Sequence, residues 1–318
     1  MSRIVVIGGL VYDFVFEVPD WVAPNRAVHA TRATMTPGGK ALNQAAAAAR
    51  LGAEDVWLVG CVGADMLGDD MLASLNDVGV NTRHIRRHRE ARTSIASIVV
   101  MDNVPGFIGA PDASRLVDEE QIRAALADVE PGDIVLVDFE IPQPLVQFAL
   151  ERSRAAGAVT VLNPAPFFTR DSFVVGYLHL VDALIPNKLE AQLILGSASD
   201  DLDLLARELL ALGVKQVVLT IGEQGSALYE AGCKLEQPAF ALDVVDTTGA
   251  SDAFVGAYCQ GLALGWPLAR TLEFASAAAG LACTRSGTMS SLPSLHEVRL
   301  LLAESAQGRH GRNPRNPD

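Results

Sequence analysis

Cysteine is scarce in this chain and widely scattered. The four present, Cys61, Cys233, Cys259 and Cys283, lie far apart and form no Cys-x-x-Cys pair. That excludes a closely spaced metal or redox motif and predicts buried free thiols in a reducing compartment. Positive charge is also short: 25 Lys plus Arg face 38 Asp plus Glu, a formal charge of −13. So acidic a chain excludes nucleic acid as the main partner. No uninterrupted apolar run reaches the length of a membrane helix, so no membrane partner is expected. The six histidines have no metal-ligand or triad partner at useful spacing and are read as structural. The sequence passes from Met-Ser-Arg straight into Ile4-Val5-Val6-Ile7, which leaves no room for a charged, apolar and cleavable leader. A cytoplasmic protein is the expectation. There is no internal repeat, and the only biased block is an alanine run ending at Arg50.

What is present suits a soluble globular fold. The 318 residues, 49% apolar and 20% charged, can build one large α/β domain or two smaller ones. The most informative stretch is Val244 to Gly256. An apolar, β-branched run ends at Asp246, small and polar residues follow, and an apolar helical pattern opens at Ala253 and continues through Tyr258 and Leu262. A strand that passes through small residues into a helix leaves the first helical amides unpaired, and with the helix dipole they form a seat for an anion. Asp252 would sit in that first turn, beside the anion. Phosphoryl transfer to a hydroxyl needs this pairing of a charge-stabilising seat with a base for the attacking alcohol. The same residues also suit a plainer role, with Asp252 a first-turn acid favouring the dipole and Thr247 or Thr248 a cap.

Asp246-Thr247-Thr248-Gly249-Ala250-Ser251-Asp252 resembles the C-terminal signature of the PfkB-type carbohydrate kinases (the ribokinase-like family), usually Asp-Thr-x-Gly/Ala-Ala-Gly-Asp. The resemblance implies that Asp252 is the catalytic base and that the backbone of Gly249, Ala250 and Ser251 forms the anion hole. Ser251 departs from the usual Gly. If that position needs a positive φ, its Cβ costs roughly 1–2 kcal/mol. If a phosphate must approach closely, the hydroxymethyl group crowds it or adds a donor.

Upstream, Pro37-Gly38-Gly39-Lys40-Ala41-Leu42-Asn43-Gln44 opens a helix with Lys40 and Asn43 three residues apart on one face. It is not a Walker loop, since no Gly-Lys-Ser/Thr closes it. A solvated helix-start lysine is the plainer account of Lys40. The run resembles the family's N-terminal signature, Gly-Gly-Lys-Gly-Ala-Asn-Gln-Ala, which implies sugar contacts from Gly39, Lys40 and Asn43. Ile4–Ile7 reads as a buried strand with Gly8 to Asp13 at its carboxyl end, where open α/β sheets gather ligands; a turn-forming role for Asp13 is the alternative. In the family the matching Asp binds sugar hydroxyls, and Val11 stands where an Asn is usual.

The rest of the chain alternates strand and helix in the rhythm of a parallel, helix-covered sheet. Strands are expected at Val56–Cys61, Ile134–Val137, Val159–Leu162 and Val217–Thr220. Residues 14–36 and 93–109 read as an exposed antiparallel excursion, with 101–114 a Gly- and Pro-rich turn. The basic run Arg83 to Arg89 reads as a solvated face, with contact to a phosphorylated ligand as the alternative. Asn187 and Glu190 suit a capping box; by the resemblance they lie beside the triphosphate, Glu190 holding Mg²⁺ through water. Glu140 matches a sugar-binding Glu, and Asn163-Pro164-Ala165-Pro166 a ribokinase-type motif. Thr220, Gly222 and Gly225 match a turn that lies against the nucleotide, and Ser276 the helix beside its adenine. Asp246, Thr248, Ala282, Arg285, Gly287 and Ser291 match the loop that holds a monovalent cation, K⁺ in ribokinases.

Together these readings predict a ribokinase-like α/β fold with a central, mostly parallel sheet flanked by helices and a small β-sheet lid. The expected core is 1–13, 37–92 and 110–303, with 14–36 and 93–109 as the lid and 304–318 as a disordered tail. The implied activity is ATP-dependent phosphorylation of a primary hydroxyl of a small sugar, ribose first, by a homodimer joined through the lid. A nucleoside kinase (adenosine or pseudouridine) and a non-catalytic sugar-binding regulator on the same fold are the alternatives.

Overall fold

The computed structural model describes residues 2–102, 104–166 and 175–310. In chain order its elements are β1 (Ile4–Ile7), β2 (Val11–Glu17), β3 (Arg32–Gly38), α1 (Lys40–Arg50), β4 (Val56–Gly63), α2 (Met66–Asp77), β5 (Asn81–His88), β6 (Ser94–Met101) and β7 (Val104–Ala110). After these come α3 (Glu119–Leu126), β8 (Ile134–Val137), α4 (Gln143–Ala155), β9 (Val159–Leu162), β10 (Ala183–Leu184), α5 (Lys188–Leu195) and α6 (Leu202–Ala211). The chain ends with β11 (Gln216–Thr220), β12 (Ser226–Glu230), β13 (Cys233–Gln237), α7 (Ala250–Ala263), α8 (Leu268–Ala282) and α9 (Leu295–His310).

Nine strands form one sheet in the order β13-β12-β11-β10-β9-β8-β1-β4-β5. It is parallel from β5 to β11, and β12 and β13 close one edge antiparallel. The continuous apolar runs of its inner strands follow from burial on both faces. In β1, Ile4 and Val6 face the core under α1, α7 and α8, while Val5 and Ile7 face the one under α3 to α6. No described helix is long and apolar enough to cross a membrane.

A second sheet of four strands, β3-β2-β6-β7, stands apart. The expected antiparallel pairing holds for β2–β3, and β6 also pairs antiparallel with β7, but β2 and β6 run parallel. They enter the sheet from the same end because a whole stretch of core lies between them in sequence. Residues 104–110, read as a turn, form β7. As an edge strand it carries Gly106 and Gly109 without loss of a second ladder. The run Val244-Val245 is not a strand: both side chains are exposed, and the Val245 amide donates to the Cys283 carbonyl at 2.8 Å instead of a ladder partner. The tail expected from 304 is helical through His310, because Val298, Leu301 and Leu302 pack on the core and no breaker precedes Gly308. Residues 311–318 lie outside the described residues.

The alanine run has a packing purpose. Ala45 to Ala48 are wholly buried on α1, and α7 lies against them at Gly256. A Cβ at 256 would stand 2.6 Å from both the Ala47 Cβ and the Gln44 carbonyl oxygen. Small residues thus let two helix starts meet. Gly256→Leu is expected to cost at least about 1–3 kcal/mol by overpacking, read by urea denaturation, with turnover falling as α1 and α7 separate. Unchanged stability would show that the helices are not in close contact there.

Candidate active site

The helix starts of α1 and α7 meet at the carboxyl ends of β1, β8 and β9. Gly39 caps α1 with φ +89, and a Cβ there would lie 2.6 Å from the Val11 amide nitrogen, so no other residue fits. Its own side chain cannot cap the helix; Glu140, past the end of β8, does so by accepting from the Lys40 amide at 2.7 Å. At the other helix start, Gly249 takes the left-handed conformation with φ +83, and Ser251 lies inside α7 without positive φ. The backbone strain considered for Ser251 is therefore absent, and its exposed side chain stands beside the helix start. The Ala250 amide donates to the Thr247 carbonyl at 3.2 Å, committing it to the turn that precedes the helix.

Asp252 is 5% exposed. Its Oδ1 accepts from Lys40 Nζ at 3.3 Å and Gln44 Nε2 at 3.0 Å, and its Oδ2 from Asn43 Nδ2 at 3.2 Å. All three donors belong to the first turn and a half of α1. Burial alone would push the Lys40 ammonium down, but the charges of Asp252, Glu190 and Glu140 outweigh it and hold Lys40 above its ordinary range. Asp13 is buried on β2 in the smaller sheet, and burial together with Glu140 and Asp252 pushes its carboxyl up to about 7. Burial likewise raises Glu140 to about 7, against the pull of the Lys40 amide and ammonium.

Two site residues escaped the sequence reading. Gln44 is completely buried and reaches both Asp252 and Asn163. Its place four residues after Lys40, on the same helix face, was the available signal. Asp138, also completely buried, accepts from the amides of Glu140 (2.9 Å) and Gly9 (3.3 Å), and burial beside Glu140 holds it well above the usual carboxylate range. A carboxylate one residue beyond a strand end was visible in the sequence but had no motif to mark it.

The other expected residues lie in two further groups. Asn187 and Glu190 form the capping box, each side chain accepting from the other's amide at 2.8 Å. The Thr220 amide bonds the Pro186 carbonyl next to Asn187, and the turn through Gly222 and Gly225 is closed by Ile221 N to Gly225 O at 2.8 Å. Ser226, just after it, meets Ser276 of α8 with 3.0 Å between hydroxyl oxygens. In the remaining group Asp246 joins two loops, accepting from the Thr248 amide and hydroxyl and from the Gly287 amide. Ser291 donates to the Thr288 carbonyl, Arg285 turns its guanidinium to Glu297, and Ala282 is buried in α8. The basic run pairs with surface acids, Arg83 with Asp128, Arg86 with Asp118 and Arg87 with Asp69.

The model of the pfkB family of carbohydrate kinases matches residues 1–295. The chain belongs to this family. It is a sugar kinase, a phosphotransferase. A ribokinase from Schizosaccharomyces pombe is 32% identical over 311 residues, 94% of this chain and 97% of that one. The ribokinase of Thermotoga maritima superposes with a TM-score of 0.86 at 28% identity, over 95% of this chain and 100% of its own. An Arabidopsis thaliana ribokinase complexed with ribose and ATP superposes with a TM-score of 0.84 at 28% identity, over 95% of this chain and 98% of that one.

In this carbohydrate kinase Asp13 and Glu140 keep their protons to about pH 7, against 3.8 and 4.5 ordinarily. A carboxyl raised by folding favours the fold fully below its unfolded pKa, and the advantage is lost as pH climbs through the folded value. Relative to the parent chain, Asp13→Asn should therefore gain stability between about pH 4 and 7 and level off above. The gain should be on the order of a few kcal/mol, at about 1.4 kcal/mol per unit and less where the carboxyls are coupled. Urea denaturation across a pH series checks this; a difference that stays flat through the window contradicts it.

Proposed function

We propose that this kinase transfers the γ-phosphoryl group of ATP to a primary hydroxyl of ribose or a close relative, with Asp252 as general base. The buried Asp252 carboxylate at the start of α7, held by Lys40, Asn43 and Gln44, carries the reading. In it, Asp252 takes the hydroxyl proton as the oxygen attacks. The α7 helix start, through the amides of Gly249 and Ser251 and the positive end of the helix dipole, holds negative charge that develops on the transferred group, while the Ala250 amide stays with Thr247 in the turn before it. Asp13, Gly39, Lys40, Asn43 and Glu140 line the sugar's place. Because Asp13 and Glu140 are raised to about 7, they can donate to a sugar oxygen as well as accept from a hydroxyl. Asn187, Thr220, Gly222, Gly225 and Ser276 line the nucleotide's place.

Glu190 commits Oε2 to the Asn187 amide, which leaves its other oxygen for a water of hydrated Mg²⁺, a cation that keeps most of its waters. That ion supplies charge neutralisation at the phosphates when bound. A monovalent cation such as K⁺ would sit in the loops joined by Asp246, held mainly by carbonyls of Thr248, Ala282, Arg285, Gly287 and Ser291. None of the four thiols is in a disulfide, which suits the reducing cytoplasm; Cys61 and Cys259 are buried as expected and Cys283 half-buried, but Cys233 is exposed because it opens the edge strand β13.

The smaller sheet serves as a lid whose outer face joins two copies. Met35, Phe14, Ser97 and Ile108 form one cross-strand row, and Ile95 and Val104 lie on the same face by register. Met35 and Ile108 are each 66% exposed and Val104 56%, an apolar cluster of the kind that supports an interaction site.

Two measurements test these assignments. Asp252→Asn should fold as the parent and lose on the order of 10²–10⁴ in kcat, the usual worth of a general base, in an ADP-release assay across pentoses, hexoses and nucleosides. Near-parental turnover refutes the base, and sugar-dependent thermal stabilisation without any ADP release refutes catalysis. For the lid, Ile108→Glu should shift sedimentation from dimer toward monomer. A parent chain that already sediments as a monomer refutes the interface.

A further inference from the structure

We infer that Gln44 is a positioning residue that fixes which oxygen of the Asp252 carboxylate meets the substrate. This rests on the assignment of Asp252 as the base. The orientation of the Gln44 amide follows from hydrogen-bond accounting. Asn163, just past β9, must turn its Nδ2 toward the Ile185 carbonyl, which accepts at 2.8 Å. Its Oδ1 is then an acceptor and takes a hydrogen from Gln44 Nε2 at 2.9 Å. Gln44 must therefore present its NH₂ group here, and the second hydrogen of that group goes to Asp252 Oδ1 at 3.0 Å. Both donors are used.

The cost of this arrangement is visible. Gln44 Oε1 is buried and has no hydrogen-bond partner among the described residues, as is the case for Asn43 Oδ1. A buried amide oxygen left unpaired is unfavourable, and a hydrocarbon side chain of the same shape would avoid it. A glutamine is accounted for here by the paired donation, which ties the carboxylate of α7 to the strand ends of β9 and β10.

The consequence falls on the two oxygens of Asp252. Oδ1 receives Gln44 and Lys40, while Oδ2 receives Asn43 alone. Oδ2 therefore keeps the lone pair that faces an incoming hydroxyl, and the proton arrives there. With Gln44 removed, the carboxylate can rotate about its Cβ–Cγ bond and the two oxygens become interchangeable. Gln44 touches neither sugar nor nucleotide in this arrangement, so it should act on kcat and leave both KM values nearly unchanged.

Gln44→Met keeps the volume and removes both donors. The expected result is a kcat lower by roughly tenfold to 10²-fold, the scale of a small misplacement at the reacting centre, with KM for sugar and ATP within about twofold. The acid limb of the kcat profile should move to higher pH, since the ionised base loses a donor. Asn163→Leu, which frees the anchor but leaves Gln44, should lower kcat in the same sense and keeps the idea testable should Gln44→Met not fold. In an Asp252→Asn background neither change should reduce the rate further. A folded Gln44→Met with parental kcat and pH profile overturns the inference, as do losses that add to that of Asp252→Asn. If Asp252→Asn itself retains near-parental turnover, the base assignment fails and takes this inference with it. If Asp252→Asn is inactive and Gln44→Met is not impaired, only the positioning role falls.

Discussion

A carboxylate can be carried inside a protein only if its charge is answered by donors fixed in place. At Asp252 the answer comes from one turn and a half of one helix, through Lys40, Asn43 and Gln44. Much else in the fold serves that meeting. The two helix starts must converge, so α1 presents alanines and α7 presents Gly256, and their backbones approach closely. The glycine at 39 takes a conformation closed to other residues, because Val11 and Gly9 crowd the space a Cβ would fill. Core composition and site geometry are here one requirement.

Negative charge is the second theme. Asp13, Asp138 and Glu140 crowd the same region, and burial drives all three upward in pKa. Lys40 does not neutralise them all, since it is already engaged with Asp252. The chain copes by keeping protons on some of these groups at neutral pH and by directing backbone amides at others, as with Gly9 and Glu140 on Asp138. A polyhydroxy ligand, which donates from every hydroxyl, suits such surroundings better than an anion would.

The parts legible in the sequence are those written locally. Continuous apolar runs rich in β-branched residues marked β1, β4, β8, β9 and β11, and the two glycine-bearing signatures marked the helix starts where site residues gather. What stayed illegible depends on partners distant in the chain. Val244-Val245 has strand-forming residues, but the Val245 amide goes to the Cys283 carbonyl just past α8 rather than to a strand. The parallel pairing of β2 with β6 joins strands that a long stretch of core separates in sequence, whereas β7 pairs with its neighbour β6 and was hidden by its Gly and Pro content. Gln44 reads as another residue of an alanine-rich helix until Asn163 and Asp252 close around it. Asp138 is marked by no motif, and its place in the site shows only when the Gly9 amide, more than a hundred residues away, and the nearby Glu140 amide donate to it. The last turns of α9 are polar in composition, and their helicity is inherited from the apolar turns before them.

Asp13 belongs to the smaller sheet, one residue after Tyr12, whose hydroxyl donates to Asp70 of α2 at 2.7 Å. The remaining groups around Asp252 belong to the large sheet and its helices. A ligand that met both Asp13 and Asn43 would bridge the smaller sheet and α1 of the large one, across the junction of β1 and β2. By reciprocity, any occupant of the smaller sheet's outer face that changed that ligand's affinity would have its own affinity changed by the same factor.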